Sequence, residues 1–267
     1  MKKAVILAAG RGTRMYPLTR AVPKGLLPVY DRTVLDHIVE ETLSAGIEHL
    51  IIVVGSDGDM IQRHFQGNTH ISFVEQTKPG GTAHALACVR GQVEDRPFAL
   101  MFGDEVVWGK TSCIGQLVNH YKKQGSGAIT AIEKTDADSI KLYNSLQLEA
   151  TDQEDLFRLR GFVEKPTGTP PSLYTSIGRH ILDPDIFEWI DRSPPVEGEH
   201  VLADVFARYL VDKPFYGLIY SGKRFDLGNK KLWLQANVEL AAQDPEMLEW
   251  MRLRMGQCLV SGNESDT

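Results

Sequence analysis

Cysteine is scarce in this chain. Its three cysteines, Cys88, Cys113 and Cys258, lie far apart and form no CxxC pair. That excludes a thiolate zinc centre and a disulfide framework, and it suits a reducing, cytoplasmic setting. Positive charge is also in deficit. A formal net charge of −6 argues against a protein that coats nucleic acid or lies on a membrane, and neither is expected as a partner. No apolar run is long enough to span a bilayer. Met1-Lys2-Lys3 opens like a signal peptide, but the apolar run that follows is short and stops at Gly10-Arg11, so no leader is expected. Internal repeats and low-complexity linkers are missing as well.

What is present is an alternation of apolar runs and amphipathic stretches. Strands are expected at Lys3–Ala8, His49–Val54, Ile71–Glu75, Pro97–Phe102 and Ala128–Glu133. Between them, Val34–Ala45, Asp57–Phe65 (capped by Asp57), Thr82–Arg90 and Ser112–Lys123 have helical spacing. This βα alternation predicts an α/β fold: a Rossmann-like, mostly parallel mixed sheet with helices on both faces. The second half reads as a smaller β-rich part, with strands at Ser145–Ala150, Arg158–Glu164 and Tyr174–Ile181. Asp204–Leu210 is expected to be helical, Phe215–Tyr220 with Lys223–Phe225 to form a hairpin, and Lys230–Ala242 to form a strong helix. Residues 1–244 are expected to make one catalytic domain, and 245–267 a C-terminal helix with a frayed polar tail.

Chemistry-bearing residues gather at the ends of predicted strands, the edge where open parallel sheets bind ligands. After the first strand comes Gly10-Arg11-Gly12-Thr13-Arg14, then Pro23-Lys24. Glycines open the backbone to a polyphosphate and three fixed cations face it. The loop lacks the Gly-Lys-Ser/Thr of a Walker A motif, and Met15 stands where a dinucleotide fingerprint needs its third glycine. A bare strand-to-loop turn is the plain alternative. Gln76, followed by Pro79-Gly80-Gly81, offers an amide to read one edge of a base, or is simply a solvent-facing turn residue. Asp104, at a buried strand's end, is a candidate Mg²⁺ ligand or a turn aspartate. Glu164-Lys165 can hold sugar hydroxyls and a phosphate, or form a surface ion pair. Asp226, beside Leu227-Gly228, offers a second carboxylate or another turn.

Together these segments resemble the sugar-1-phosphate nucleotidylyltransferases, from Lys3 to about Ala242. Gly178-Arg179-His180-Ile181-Leu182, Glu199 through Asp204 and Phe225 through Lys230 look most like the bacterial UTP–glucose-1-phosphate uridylyltransferases. Arg14 through Pro17 and Leu26 through Asp31 look as much like glucose-1-phosphate thymidylyltransferases. The resemblance implies attack of a sugar 1-phosphate on the α-phosphorus of UTP or dTTP, with pyrophosphate leaving. It implies Mg²⁺ on Asp104 and Asp226, and catalytic roles for Arg14, Lys24 and Lys165. Ala9, Gly10, Gly12, Thr13, Gln76 and Gly81 would hold the nucleotide, and Glu164, Lys165 and Gly178 the sugar phosphate. A homo-oligomer is also implied. The chain departs from the family at Asn144, where a glycine commonly contacts the sugar, at Leu173, where uridylyltransferases carry asparagine, and at Gly25, where they carry glutamate. These departures leave open a sugar other than glucose. A non-catalytic nucleotide-sugar sensor and a dinucleotide-binding oxidoreductase are the readings from other classes. The first is disfavoured by the presence of Lys24, Asp104, Lys165 and Asp226, the second by the missing glycine.

Overall fold

A computed structural model describes residues 1–196 and 198–261. The polar tail expected to fray lies outside the described residues. The strands, in chain order, are β1 (Lys3–Ala8), β2 (Pro28–Val29), β3 (Arg32–Thr33), β4 (His49–Val54), β5 (Ile71–Glu75), β6 (Phe98–Phe102), β7 (Glu105–Trp108), β8 (Ala128–Lys134), β9 (Asn144–Ala150), β10 (Leu156–Glu164), β11 (Tyr174–Leu182), β12 (Phe215–Ile219) and β13 (Lys223–Asp226).

Nine of them form one sheet, in the order β5-β4-β1-β6-β11-β8-β12-β10-β9. β5, β4, β1 and β6 run parallel. β11 then enters antiparallel between β6 and β8, β12 lies parallel to β8, and β10 and β9 close the far side antiparallel. The sheet is therefore mixed, with its uninterrupted parallel block confined to the first half of the chain.

Period-two alternation divides the core. Ala4, Ile6, Leu50 and Ile52 face a layer that contains Leu35, Ile38, Ile114 and Leu117. Val5, Ile51 and Val53 face the opposite layer with Leu86, Val89, Phe187, Val205 and Phe206. Burial on both faces explains why β1 and β4 read as continuous apolar runs. The helix Val34–Ser44 begins at a capping box: Thr33 Oγ1 accepts the Asp36 N–H, and Asp36 Oδ2 accepts the Thr33 N–H.

Several expectations need correction. Phe215–Tyr220 and Lys223–Phe225 do not pair with each other. β12 carries fully buried Phe215 and Leu218, so it joins the sheet interior, whereas β13 pairs with β7 in a two-stranded ribbon. That pairing strand, β7, follows Asp104 directly and was not expected. Asp57 does not cap the next helix, which starts after Gly58 at Asp59 with no side-chain cap. The stretch Thr82–Arg90 divides into helices Thr82–Ala87 and Arg90–Val93. The helix Ile186–Arg192 was also not foreseen.

Arg179 is the largest fully buried side chain, with no exposed surface. Its Nε and Nη2 reach Glu41 Oε2 at 2.9 and 2.8 Å, while Glu41 Oε1 accepts the Ile114 N–H at 3.1 Å. The pair ties the central strand β11 to the helix Val34–Ser44. Removing one member strands a buried charge. Arg179→Met is expected to lose about 3–5 kcal/mol in urea unfolding, and Arg179→Met with Glu41→Met is expected to lose less than that single change.

Candidate active site

The loop leaving β1 is folded on itself rather than spread over the surface. Gly12 has φ +61°, and its carbonyl accepts the Met15 N–H at 2.9 Å and the Thr19 hydroxyl at 2.7 Å. A Cβ at Gly12 would press on Thr19 and Lys24 at 3.1–3.2 Å. Buried Met15 anchors the turn, while Gly10, Arg11, Thr13 and Arg14 stay exposed around it. A Cβ at Gly10 would meet nothing within 4 Å. Ala9 lies at the root of the loop, close enough to Gly55 that a Cβ there would sit 2.9 Å from the Ala9 carbonyl oxygen. The loop then delivers Lys24, whose Nζ lies 2.8 Å from Asp104 Oδ2. Gly25 follows, buried, with space beside it already taken by Leu35.

Asp104 and Asp226 come together through the ribbon. β13 pairs with β7 so that Asp226 stands opposite Glu105, and the Leu227 N–H donates to the Asp104 carbonyl at 3.3 Å. Asp226 Oδ1 accepts the Gly228 N–H at 2.7 Å, and Oδ2 accepts the Tyr143 hydroxyl at 2.5 Å. Burial, and then the bond to Asp226, raise the Tyr143 phenol well above its ordinary range. Tyr143 also holds the next segment, because its carbonyl accepts the Lys165 N–H at 2.9 Å. Lys165 has φ +43°, an unfavourable value for a side-chain-bearing residue. Its Nζ is 3.9 Å from Glu164 Oε1 and its side chain is 68% exposed. Burial raises the Glu164 carboxyl above the usual range, with Asp204 adding to it and Lys165 opposing it. A bonded path thus runs Lys24–Asp104–Leu227, then Asp226–Tyr143–Lys165.

Two glycines make close approaches within the protein. Gly81, at φ +90°, makes its close approach to the His200 backbone, whose carbonyl oxygen would be 2.4 Å from a Cβ. Gly178 is buried under Phe102, where a Cβ would be only 2.6 Å from Phe102 Cβ. Its N–H donates to Glu105 Oε2 at 3.0 Å, and the missing side chain lets β11 pack closely on Phe102. Gln76 is buried. Its Nε2 meets the Gly81 carbonyl at 3.1 Å and His84 Nδ1 at 2.8 Å, and no bond at its amide oxygen is found among the described residues. Asn144 is committed to Ser176, accepting its N–H at 2.9 Å and donating to its carbonyl at 3.3 Å.

Arg224, Glu133, Tyr143, His84 and His200 were missed as parts of this site. Tyr143 and Arg224 lie within the Tyr143–Leu146 and Arg224–Gly228 stretches, and nothing in their spacing announces where their side chains go. As a donor set, Asp104 and Asp226 suit a hard cation that completes its shell with phosphate oxygens and water. Among the described residues, no group of three or more His, Cys, Asp or Glu side chains could hold a metal ion by itself.

A glycine-rich loop, a loop lysine and two aspartates thus gather near the carboxyl edge of an α/β sheet. The chain belongs to the nucleotidyl transferase family, matching it over residues 3–243. Among curated proteins it is 33% identical to the UTP–glucose-1-phosphate uridylyltransferase of Staphylococcus haemolyticus (strain JCSC1435), over 92% of this chain and 94% of that protein. It is 31% identical to the enzyme of the same name from Bacillus subtilis (strain 168), over 92% and 93%. Among solved structures, a UDP-glucose pyrophosphorylase complexed with UDP-glucose superposes with TM-score 0.87 at 27% identity, covering 91% of this chain and all 100% of that one. A UTP-bound UGPase from Acinetobacter baumannii gives 0.86 at 26%, covering 96% and 99%.

The two kinds of glycine predict opposite outcomes. Gly81→Ala is expected to lose about 1–3 kcal/mol in denaturant unfolding. Gly10→Ala, with open space around it, is expected to stay within about 0.5 kcal/mol of the parent.

Proposed function

We propose that this enzyme transfers a uridylyl group from UTP to glucose 1-phosphate, forming UDP-glucose and releasing pyrophosphate. The observation that carries this reading is the bonded path from Lys24 and Asp104 to Asp226, Tyr143 and Lys165. It links the loop lysine, both aspartates and Lys165 through successive hydrogen bonds, which supports assigning the first loop to the triphosphate and Lys165 to the sugar phosphate. The relatives named for this reaction, and the structural neighbours named for UDP-glucose and UTP, support the choice of substrates.

Two polyanions must meet, so mutual repulsion is the main obstacle. Exposed Arg14 and the partly buried Lys24 bind and orient the triphosphate, with Gly10 and Gly12 letting the backbone come close. Gln76 orients the base through its free amide oxygen. Lys165 draws in the sugar phosphate, and Glu164 accepts hydrogen bonds from sugar hydroxyls. Asp104 and Asp226 would hold Mg²⁺, which when bound withdraws charge from the α-phosphate. No covalent enzyme intermediate is required, so these residues act by positioning and charge stabilisation. No helix among the described residues is long and apolar enough to cross a membrane. The cytoplasm is the proposed compartment, consistent with Cys88 and Cys113 being free thiols.

A coupled pyrophosphate assay tests the reading with UTP, dTTP and other triphosphates against a panel of sugar 1-phosphates. UTP with glucose 1-phosphate is expected to be the best pair and a chelator to abolish turnover. Turnover with no pair would overturn the proposal. Uracil and thymine differ by one methyl, so dTTP is expected to fall behind by only about 10–200-fold. Asp104→Ala and Asp226→Ala are each expected to lose about 100-fold or more in kcat. A mild effect from both would contradict the role of the carboxylates.

A further inference from the structure

Beneath Asp226 lies a guanidinium that the chemistry above does not use. Arg224 is nearly buried, its side chain 6% exposed. Nε and Nη2 donate to Glu105 Oε2 and Oε1 at 3.1 and 3.2 Å, a two-pronged contact with one carboxylate. Nη1 donates to Glu133 Oε1 at 2.8 Å, and the Tyr220 hydroxyl caps the other oxygen of Glu133 at 2.9 Å. The guanidinium carbon lies 4.7 Å from the centre of the Tyr143 ring. Nη2 stands 3.9 Å from Asp226 Oδ2, too far for a hydrogen bond and near enough to attract.

Three acids therefore surround one cation, and only two of them are hydrogen-bonded to it. Asp226 is the third. It is held from the side by the Tyr143 hydroxyl and by the Gly228 N–H, while Arg224 offsets the repulsion of Glu105 and Glu133. The same guanidinium fixes the ring from which that hydroxyl projects. Arg224 is also on β13, two residues before Asp226, and its two-pronged partner Glu105 is on β7, next to Asp104. The fork thus clamps the two strands whose ends carry both aspartates.

We propose that Arg224, acting through Glu105, Glu133 and the ring of Tyr143, is a positioning residue that fixes the orientation of the Asp226 carboxylate for the divalent cation. The inference rests on Asp226 being a cation ligand, as proposed above. Lysine cannot take this role: its ammonium is a point charge and cannot present parallel N–H groups to Glu105 while also reaching Glu133.

The test compares Arg224→Lys, Tyr143→Phe and the double variant with wild type. Mn²⁺ binding is read by electron paramagnetic resonance with UTP present, alongside kcat and the KM for UTP. Circular dichroism and thermal unfolding verify the fold. Arg224→Lys is expected to weaken Mn²⁺ binding and lower kcat by about 10- to 100-fold, with the UTP KM within about twofold of wild type. Tyr143→Phe keeps the ring and loses only the hydroxyl, so it is expected to fold and to show a smaller loss of the same kind. Because both act on one carboxylate, the double variant is expected to lose less than the product of the two. A folded Arg224→Lys protein with unchanged Mn²⁺ binding and kcat would overturn the proposal. If Arg224→Lys does not fold, an unchanged Tyr143→Phe protein would overturn it equally. Wild-type protein that turns over but binds no Mn²⁺ would instead count against the cation role of Asp226 itself.

Discussion

Two carboxylates at one edge of a sheet repel each other, and the molecule is built to hold them there. Asp104 meets Lys24 from the first loop. Asp226 takes a hydroxyl and a backbone N–H, with a buried guanidinium behind it. Coulomb repulsion between such groups grows steeply as water is withdrawn. Each aspartate has a cation close by. The geometry of the site follows: the loop folds back to deliver Lys24, and the pairing of β7 with β13 sets Asp226 opposite Glu105, next to Asp104.

The mixed sheet serves the same end. Its parallel block brings the exits of β1, β4, β5 and β6 to one edge, so the glycine loop, Gln76 and Asp104 share a face. β11 enters antiparallel beside β6, placing Arg179 in the core and Gly178 directly below Phe102. With no side chain at residue 178, the strand packs close and donates its N–H to Glu105. Glu105 in turn receives Arg224. Arg179 Nη2 donates to the Glu105 backbone carbonyl at 3.0 Å while Arg224 grips the Glu105 carboxylate, so one residue ties the interior of the sheet to the ribbon.

Much of this was legible in the sequence, and for physical reasons. β1 and β4 lie buried on both faces, so their continuous apolar runs name themselves, and Gly10 and Gly12 mark the turn that ends the first. Lys24, Asp104, Lys165 and Asp226 stood out as candidates because charged residues beside glycines, prolines and the ends of apolar runs are conspicuous. Arg224 was not, because a buried cation and an exposed one are the same letter, and its partners at positions 105 and 133 are distant in sequence. The pairing of β13 with β7 was hidden for a related reason. Lys223–Phe225 follows β12 after a short turn, so local spacing suggests a hairpin. Only the burial of Phe215 and Leu218 between neighbouring strands sends β12 elsewhere. Gly81 and Gly178 were read as leaving room for a ligand, and the crowding at each also comes from the protein's own atoms, His200 and Phe102.

The account is tested most directly by a crystal structure grown with Mn²⁺ and UDP-glucose and measured at the manganese absorption edge. It predicts one anomalous peak between Asp104 and Asp226, with the diphosphate beside it, uracil at Gln76 and the sugar near Glu164. An anomalous peak away from both carboxylates, or a nucleotide sugar bound at another edge of the sheet, would contradict it.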